Sequence, residues 1–161
     1  MHTTLSIPTS ADRSERYAAF APQVEGLLAG ETDVIAAMAN LSAALMEAFG
    51  WHWIGFYRVI GNELVLGPFQ GPVACSRIPF GKGVCGTAWE QAKTVVVPDV
   101  DAFPGHIACS PHSRSEIVVP VLGRNGKVLA VLDIDSSELD DFREVDTKAL
   151  EGLCALLQPL F

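Results

Sequence analysis

The stretch GHIACSPHSRSE (105–116) sets one cysteine between two histidines, close to an arginine and a glutamate, with neither strand alternation nor helical periodicity. Cationic neighbours such as His106, His112 and Arg114 favour a thiolate at Cys109, lowering a thiol pKa from about 8.5 toward neutrality. Two more cysteines, Cys75 in PVACSRIP and Cys85 in GKGVCGTA, stand in Gly/Pro-rich surroundings near element ends. Any one of them alone reads as structural; three loop cysteines beside a carboxylate cluster are a better signal of reactive thiols. Cys154 differs. It lies on the apolar stripe of the last predicted helix, where a free cysteine behaves as a small hydrophobe.

Three carboxylates form the second signal. EIVVPVL (116–122) and KVLAVLDID (127–135) read as strands joined over Gly123-Arg124-Asn125-Gly126. With Arg124-Asn125 at the turn, Glu116 faces Asp133; with Asn125-Gly126 there, it faces Asp135. In both registers Glu116, Asp133 and Asp135 share one face, because strand side chains alternate with period two. The plain explanation is a solvated sheet face, on which like charges in opposition are merely tolerated. Yet Val118 and Val131 accompany the acids, and the other face carries Ile117, Val119, Leu132 and Ile134. With both faces partly apolar, the acids belong at a pocket mouth, where they require a ligand ammonium, a metal or a shared proton. Trp53 and Tyr57 share one face of their own strand. They read as core or as pocket walls, the tyrosine hydroxyl then orienting a ligand.

Two other uses of these residues fit less well. C-x-x-C pairs are absent and the positions 75, 85 and 109 match no standard zinc spacing, so no metal is expected. GKGVCG (81–86) is formally G-x-G-x-x-G, with Asp99 some 18 residues on. The strand before it is short and carries Arg77, and no second βαβ half follows. A nicotinamide-dependent oxidoreductase is therefore the weaker reading, and the glycines read as a tight turn.

The elements that must position these groups are legible as a pattern. Apolar residues recur at helical spacing from Ser14 to Leu28 and from Thr32 to Phe49, where Val34, Ile35, Met38, Leu41, Leu45 and Ala48 make a stripe ending at Gly50. HWIGFYRV and ELVLGPF flank Ile60-Gly61-Asn62 as a β-hairpin. SRIPF and TVVVP are short strands on either side of a short helix, VCGTAWEQA. A long loop then delivers Cys109 before the acid-bearing hairpin, and Phe142 to Leu160 reads as an amphipathic helix. Helices at both ends with antiparallel hairpins between them define an α+β domain, a sheet packed on helices.

Composition agrees. A chain of 161 residues with 49% hydrophobic and 19% charged residues is one well-buried domain. A net charge of −8 argues against nucleic acid as a partner. No apolar run approaches the ~18 residues of a membrane span. The start MHTTLSIPTSADRS lacks the regions of a signal peptide, so the expected location is cytoplasmic, with reduced thiols. Residues 1–12 read as a flexible tail and 13–161 as the domain.

Six ordered motifs, WIGFY, LVLGPFQGPVAC, RIPFGKGVCGTA, FPGHIACS, SEIVVPV and VLDIDS, resemble the free methionine-(R)-sulfoxide reductases, single-domain enzymes of the GAF fold. The resemblance runs from about Leu28 to the C-terminal helix. It implies an antiparallel sheet of about six strands flanked by helices, and as substrate the free amino acid sulfoxide. It also implies that Cys109 takes the oxygen, Cys75 is the main resolving cysteine and Cys85 a third redox cysteine. Glu116, Asp133 and Asp135 match the polar substrate contacts, and Trp53 and Tyr57 the pocket aromatics. The implied reductant is thioredoxin, supplied by NADPH through thioredoxin reductase, with no cofactor bound; a homodimer is implied as well. The competing reading is a GAF ligand-sensing module without turnover, because fold does not fix function.

Overall fold

A computed structural model describes residues 4–161. The helices are α1 (Arg13–Leu28), α2 (Val34–Phe49), α3 (Gly83–Gln91) and α4 (Glu144–Ala155). The strands are β1 (Trp53–Ile60), β2 (Glu63–Gln70), β3 (Arg77–Pro79), β4 (Val95–Val97), β5 (Ser115–Leu122) and β6 (Val128–Ser136). They form one sheet in the order β3-β2-β1-β6-β5-β4. All its pairings are antiparallel, so it contains no βαβ unit and offers no frame for the dinucleotide reading of GKGVCG. Among the described residues no helix is long and apolar enough to cross a membrane.

Local chemistry sets the helix ends. The Asp12 carboxylate accepts the Glu15 N–H at 2.9 Å at the start of α1. Asp33 accepts from Ile35 and Ala36, both at 2.9 Å, so α2 begins at Val34 rather than Thr32. Met38, Leu41, Leu45 and Ala48 are buried as their spacing predicts, but Ile35, in the first turn, faces outward. Gly50 closes α2 in the left-handed conformation, its N–H donating to the Met46 carbonyl. The last helix is shorter than its apolar period suggests. The buried Asp146 carboxylate accepts the Arg143 N–H at 2.8 Å and fixes the start of α4. After Ala155, bonds from Leu156 to Leu153 and from Leu157 to Cys154 tighten the chain into a separate 3₁₀ turn, Gln158–Leu160.

The sheet buries both faces. On one, Ile54, Phe56, Ile117, Val119, Leu132 and Ile134 pack with the apolar sides of α1, α2 and α4. Tyr17 donates to the Asp146 carboxylate at 2.8 Å, and Arg13 pairs with both Asp141 and Asp146, tying α1 to the segment leading into α4. On the other face Trp53, Tyr57, Val118 and Val131 pack with Val84, Cys85 and Ala88 of α3 and with Val100 and Ile107 of the long loop. This second cover is short and discontinuous, which leaves room for a cleft. Of the expected N-terminal tail, residues 1–3 lie outside the described residues. Leu5 and Ile7 pack against the helical core, and Ser6 exchanges hydrogen bonds with the Gln23 side chain.

Candidate active site

The acid-bearing hairpin pairs Glu116 with Asp135 and Val118 with Asp133, the register expected with Asn125-Gly126 at the turn, and slips once between Val121 and Leu122. On the opposite edge of β6, β1 places Trp53 beside Asp135 and Gly55 beside Asp133. The three acids and two aromatics predicted from the sequence therefore stand on one face across three adjacent strands. Glu116 and Asp133 are 5% and 7% exposed, so this is no solvated face.

Gly55 makes the arrangement possible, and the sequence reading passed over it. A methyl group there would lie 2.3 Å from Phe69 Cβ and 2.5 Å from the Trp53 ring. Without one, Trp53 lies flat over the strand, its ring centroid 5.3 Å from Phe69 and 6.0 Å from Tyr57. An isolated glycine inside a strand pattern was the available signal.

Burial is the main influence on the electrostatics of the three acids. It is the largest influence raising Glu116 well above the carboxylate range, with the Asp135 charge adding to it. Burial likewise raises Asp133, followed by the charges of Glu116 and Asp135. Asp135 is pushed up to about 6 by burial, against the opposing pull of a Ser113 hydrogen bond and the His106 charge. Near neutrality such a cluster retains a proton and can donate it.

The cysteines divide differently from their sequence surroundings. Cys75 and Cys109 are joined in a disulfide with Cα atoms 5.6 Å apart, and both are half-buried. Cys85 is not in a loop but in the first turn of α3, buried and free, with its thiol raised by burial and then by the charges of Asp133 and Glu116. The preceding glycines do form a tight turn, with Gly81 and Gly83 both at positive φ. Cys154 is buried in the helical core as expected.

The cationic surroundings expected for Cys109 are also redistributed. His106 Nε2 faces Glu116 Oε2 at 3.6 Å, His112 lies edge-on to His52, and Arg114 is exposed. His52 Nε2 hydrogen-bonds Ser110 Oγ at 2.9 Å, beside Cys109. Tyr57 does not leave its hydroxyl free to orient a ligand: it donates to the Cys75 carbonyl at 2.9 Å, while Trp53 Nε1 donates to the Pro72 carbonyl at 3.0 Å. In the disulfide form the two aromatics thus hold the segment carrying Cys75.

Two recesses flank Cys109 and share Ser110, Asp133 and Asp135 with it. One runs toward Cys85, His106 and Glu116, the other toward Trp53 and Tyr57. Both are small in this disulfide form, with cavity volumes of about 30 Å³ and 20 Å³. A disulfide, a carboxyl cluster with raised pKa values and an aromatic wall meet around these two recesses. The arrangement suits two-electron thiol chemistry on a small polar molecule bearing a cationic group.

Comparison with known proteins follows the same line. The GAF domain family model matches residues 31–159. The chain is 55% identical over 150 residues to GAF domain-containing protein A of Dictyostelium discoideum, covering 92% of this chain and 94% of that protein. It is 45% identical over 148 residues to the free methionine-R-sulfoxide reductase of Escherichia coli, covering 91% and 89%. The crystal structure of the free methionine-R-sulfoxide reductase of Neisseria meningitidis, in complex with its substrate, superposes with a TM-score of 0.95 at 52% identity, covering 99% of this chain and 96% of that one.

Proposed function

Because the chain belongs to the GAF-domain free methionine-R-sulfoxide reductases, which are thiol-dependent oxidoreductases, we propose that it reduces free L-methionine-(R)-sulfoxide to L-methionine, with Cys109 as nucleophile and Cys75 as resolving thiol. The observation that carries this reading is the Cys75–Cys109 disulfide set beside two buried carboxyl groups, Glu116 and Asp133, and the half-buried Asp135, with only His106 as a nearby cation.

A sulfoxide sulfur is a poor electrophile until its oxygen is protonated or hydrogen-bonded. One of Glu116, Asp133 and Asp135, kept neutral by burial, donates that proton. The Cys109 thiolate attacks sulfur, the S–O bond transfers its oxygen, and methionine leaves with Cys109 as sulfenic acid. The Cys75 thiol condenses with it, releasing water and forming the disulfide before further oxidation. An external dithiol, by resemblance thioredoxin, then exchanges into the disulfide and restores both thiols. Cys85, buried and high in pKa, suits a reserve role rather than first attack. The ionised carboxylates grip the α-ammonium, a group that a peptide-bound methionine lacks, so peptides are excluded.

The test mixes reduced protein and a dithiol with free R sulfoxide, free S sulfoxide or an N-acetylated R sulfoxide. Methionine is expected only from the first. Comparable rates on both epimers, or turnover of the N-acetylated compound, would refute the assignment; binding without turnover would return the chain to ligand sensing.

A further inference from the structure

Cys85, Glu116 and Asp133 place one thiol sulfur and two carboxylate oxygens within 4.8 Å of one another. All three side chains are more than nine-tenths buried, and Oδ1 of Asp133 has no hydrogen-bond partner. His106 Nε2 lies outside that set but 3.6 Å from Glu116 Oε2, so a small movement of its loop would bring it in as a fourth donor. Thiolate, imidazole and carboxylate are the ligands of tetrahedral Zn²⁺, whose bonds of about 2.0–2.3 Å place neighbouring donors about 3.3–3.8 Å apart. The His106–Glu116 spacing already matches, and the pairs of the triad, all within 4.8 Å, need to close by at most about 1.5 Å. These donors come from four separated segments, so no C-x-x-C spacing announces them.

We propose that Cys85, Glu116, Asp133 and His106 form a Zn²⁺ site that switches the enzyme off. The cleft described above gives the ion its path to solvent, and the metal displaces the Cys85 thiol proton to water on binding. Bound there, it engages Glu116 and Asp133 and satisfies the orphaned Asp133 oxygen. Metal and substrate ammonium then exclude each other; that competition rests on the reductase reading above, whereas binding itself does not.

The test uses the full chain in its disulfide form, in which Cys75 and Cys109 offer no thiolate. Zn²⁺ is titrated against a chromophoric chelator. One ion per chain is expected, bound at least ~100-fold more weakly after Cys85→Ser or Asp133→Asn, the upper end of what even outer-shell changes cost. Cys154→Ser should leave the affinity unchanged. Co²⁺ on the unaltered chain should give a thiolate-to-cobalt charge-transfer band, a readout independent of how any variant folds. Absence of stoichiometric binding overturns the proposal, as does binding that lacks the band and ignores Cys85→Ser. Methionine formation from free R sulfoxide with and without one equivalent of Zn²⁺ reads the switch: a reductase indifferent to bound zinc overturns it, whereas a zinc binder that reduces no sulfoxide overturns the reductase reading alone.

Discussion

Asp135 lies in the sheet between Glu116 on β5 and Trp53 on β1, and its carboxyl is pushed up to about 6 by burial while Ser113 and His106 draw it down. That balance leaves a group able both to hold a proton and to lose it near neutrality, as a general acid requires. Glu116→Gln, Asp133→Asn and Asp135→Asn each remove a charge and nearly preserve shape. The reading of the cluster as acid and ammonium anchor expects kcat/KM to fall about 10²-fold or more, the scale of a lost acid or oriented hydrogen bond. Three variants with unchanged kcat/KM would remove the carboxyl cluster from the mechanism. The acids were legible in the sequence because period-two alternation puts them on one face in either register. Their partners were not: the His106–Glu116 contact joins a loop to a strand, and the Tyr57 bond to the Cys75 carbonyl spans two segments whose approach no local pattern encodes.

At the level of elements, β1 is the strand the site most depends on, because Gly55 lets Trp53 lie against Phe69. Gly55→Ala is expected to cost about 1–3 kcal/mol by overpacking and to raise KM as Trp53 is displaced; wild-type unfolding and KM would show that the glycine has no such part. The β5–β6 hairpin carries an electrostatic cost. Its acids have folded-state pKa values above their ordinary ones, so the folded chain holds their protons more tightly than the unfolded chain. Stability from this source is full below about pH 4; the Asp135 share is lost as pH rises through about 6, and the Glu116 and Asp133 shares are lost as pH rises through their own raised values. Asp141 runs the other way: burial would raise it, but bonds from Ser136, Arg13 and Trp51 lower it, so its contribution is lost only in stronger acid. Thermal unfolding followed from about pH 4 to pH 8 should show the midpoint falling, and Asp135→Asn should flatten the fall. A midpoint rising over that range equally in both proteins would contradict the burial argument. Strand positions were readable here, whereas register was not. The turn binds Gly123 N–H to the Lys127 carbonyl and Gly126 N–H to the Gly123 carbonyl, a closure that the residues Gly-Arg-Asn-Gly allow but do not impose. The overlong reading of α4 has a similar origin. Apolar spacing continues through Leu157, and the change to i→i−3 bonding after Ala155 leaves that spacing intact.

Across the whole molecule the sheet separates two duties. One face is an apolar core under α1, α2 and α4, pinned by Arg13, Tyr17 and Asp146; the other, covered by α3 and the Cys109 loop among the described residues, holds the candidate site. The composition, 49% hydrophobic, signals the first, whereas the second shows in the sequence only through the placement of its acids. What unites the two faces in one account is the claim that Cys109 takes the sulfoxide oxygen and Cys75 resolves it. The most direct measurement is a single turnover: fully reduced protein, free R sulfoxide and no dithiol, with methionine counted per chain and the cysteine linkages mapped by mass spectrometry. About one methionine per chain is expected, with a Cys75–Cys109 disulfide as the product, the same methionine yield from Cys75→Ser, and none from Cys109→Ser. Methionine formed by Cys109→Ser, or its loss in Cys85→Ser alone, would contradict it.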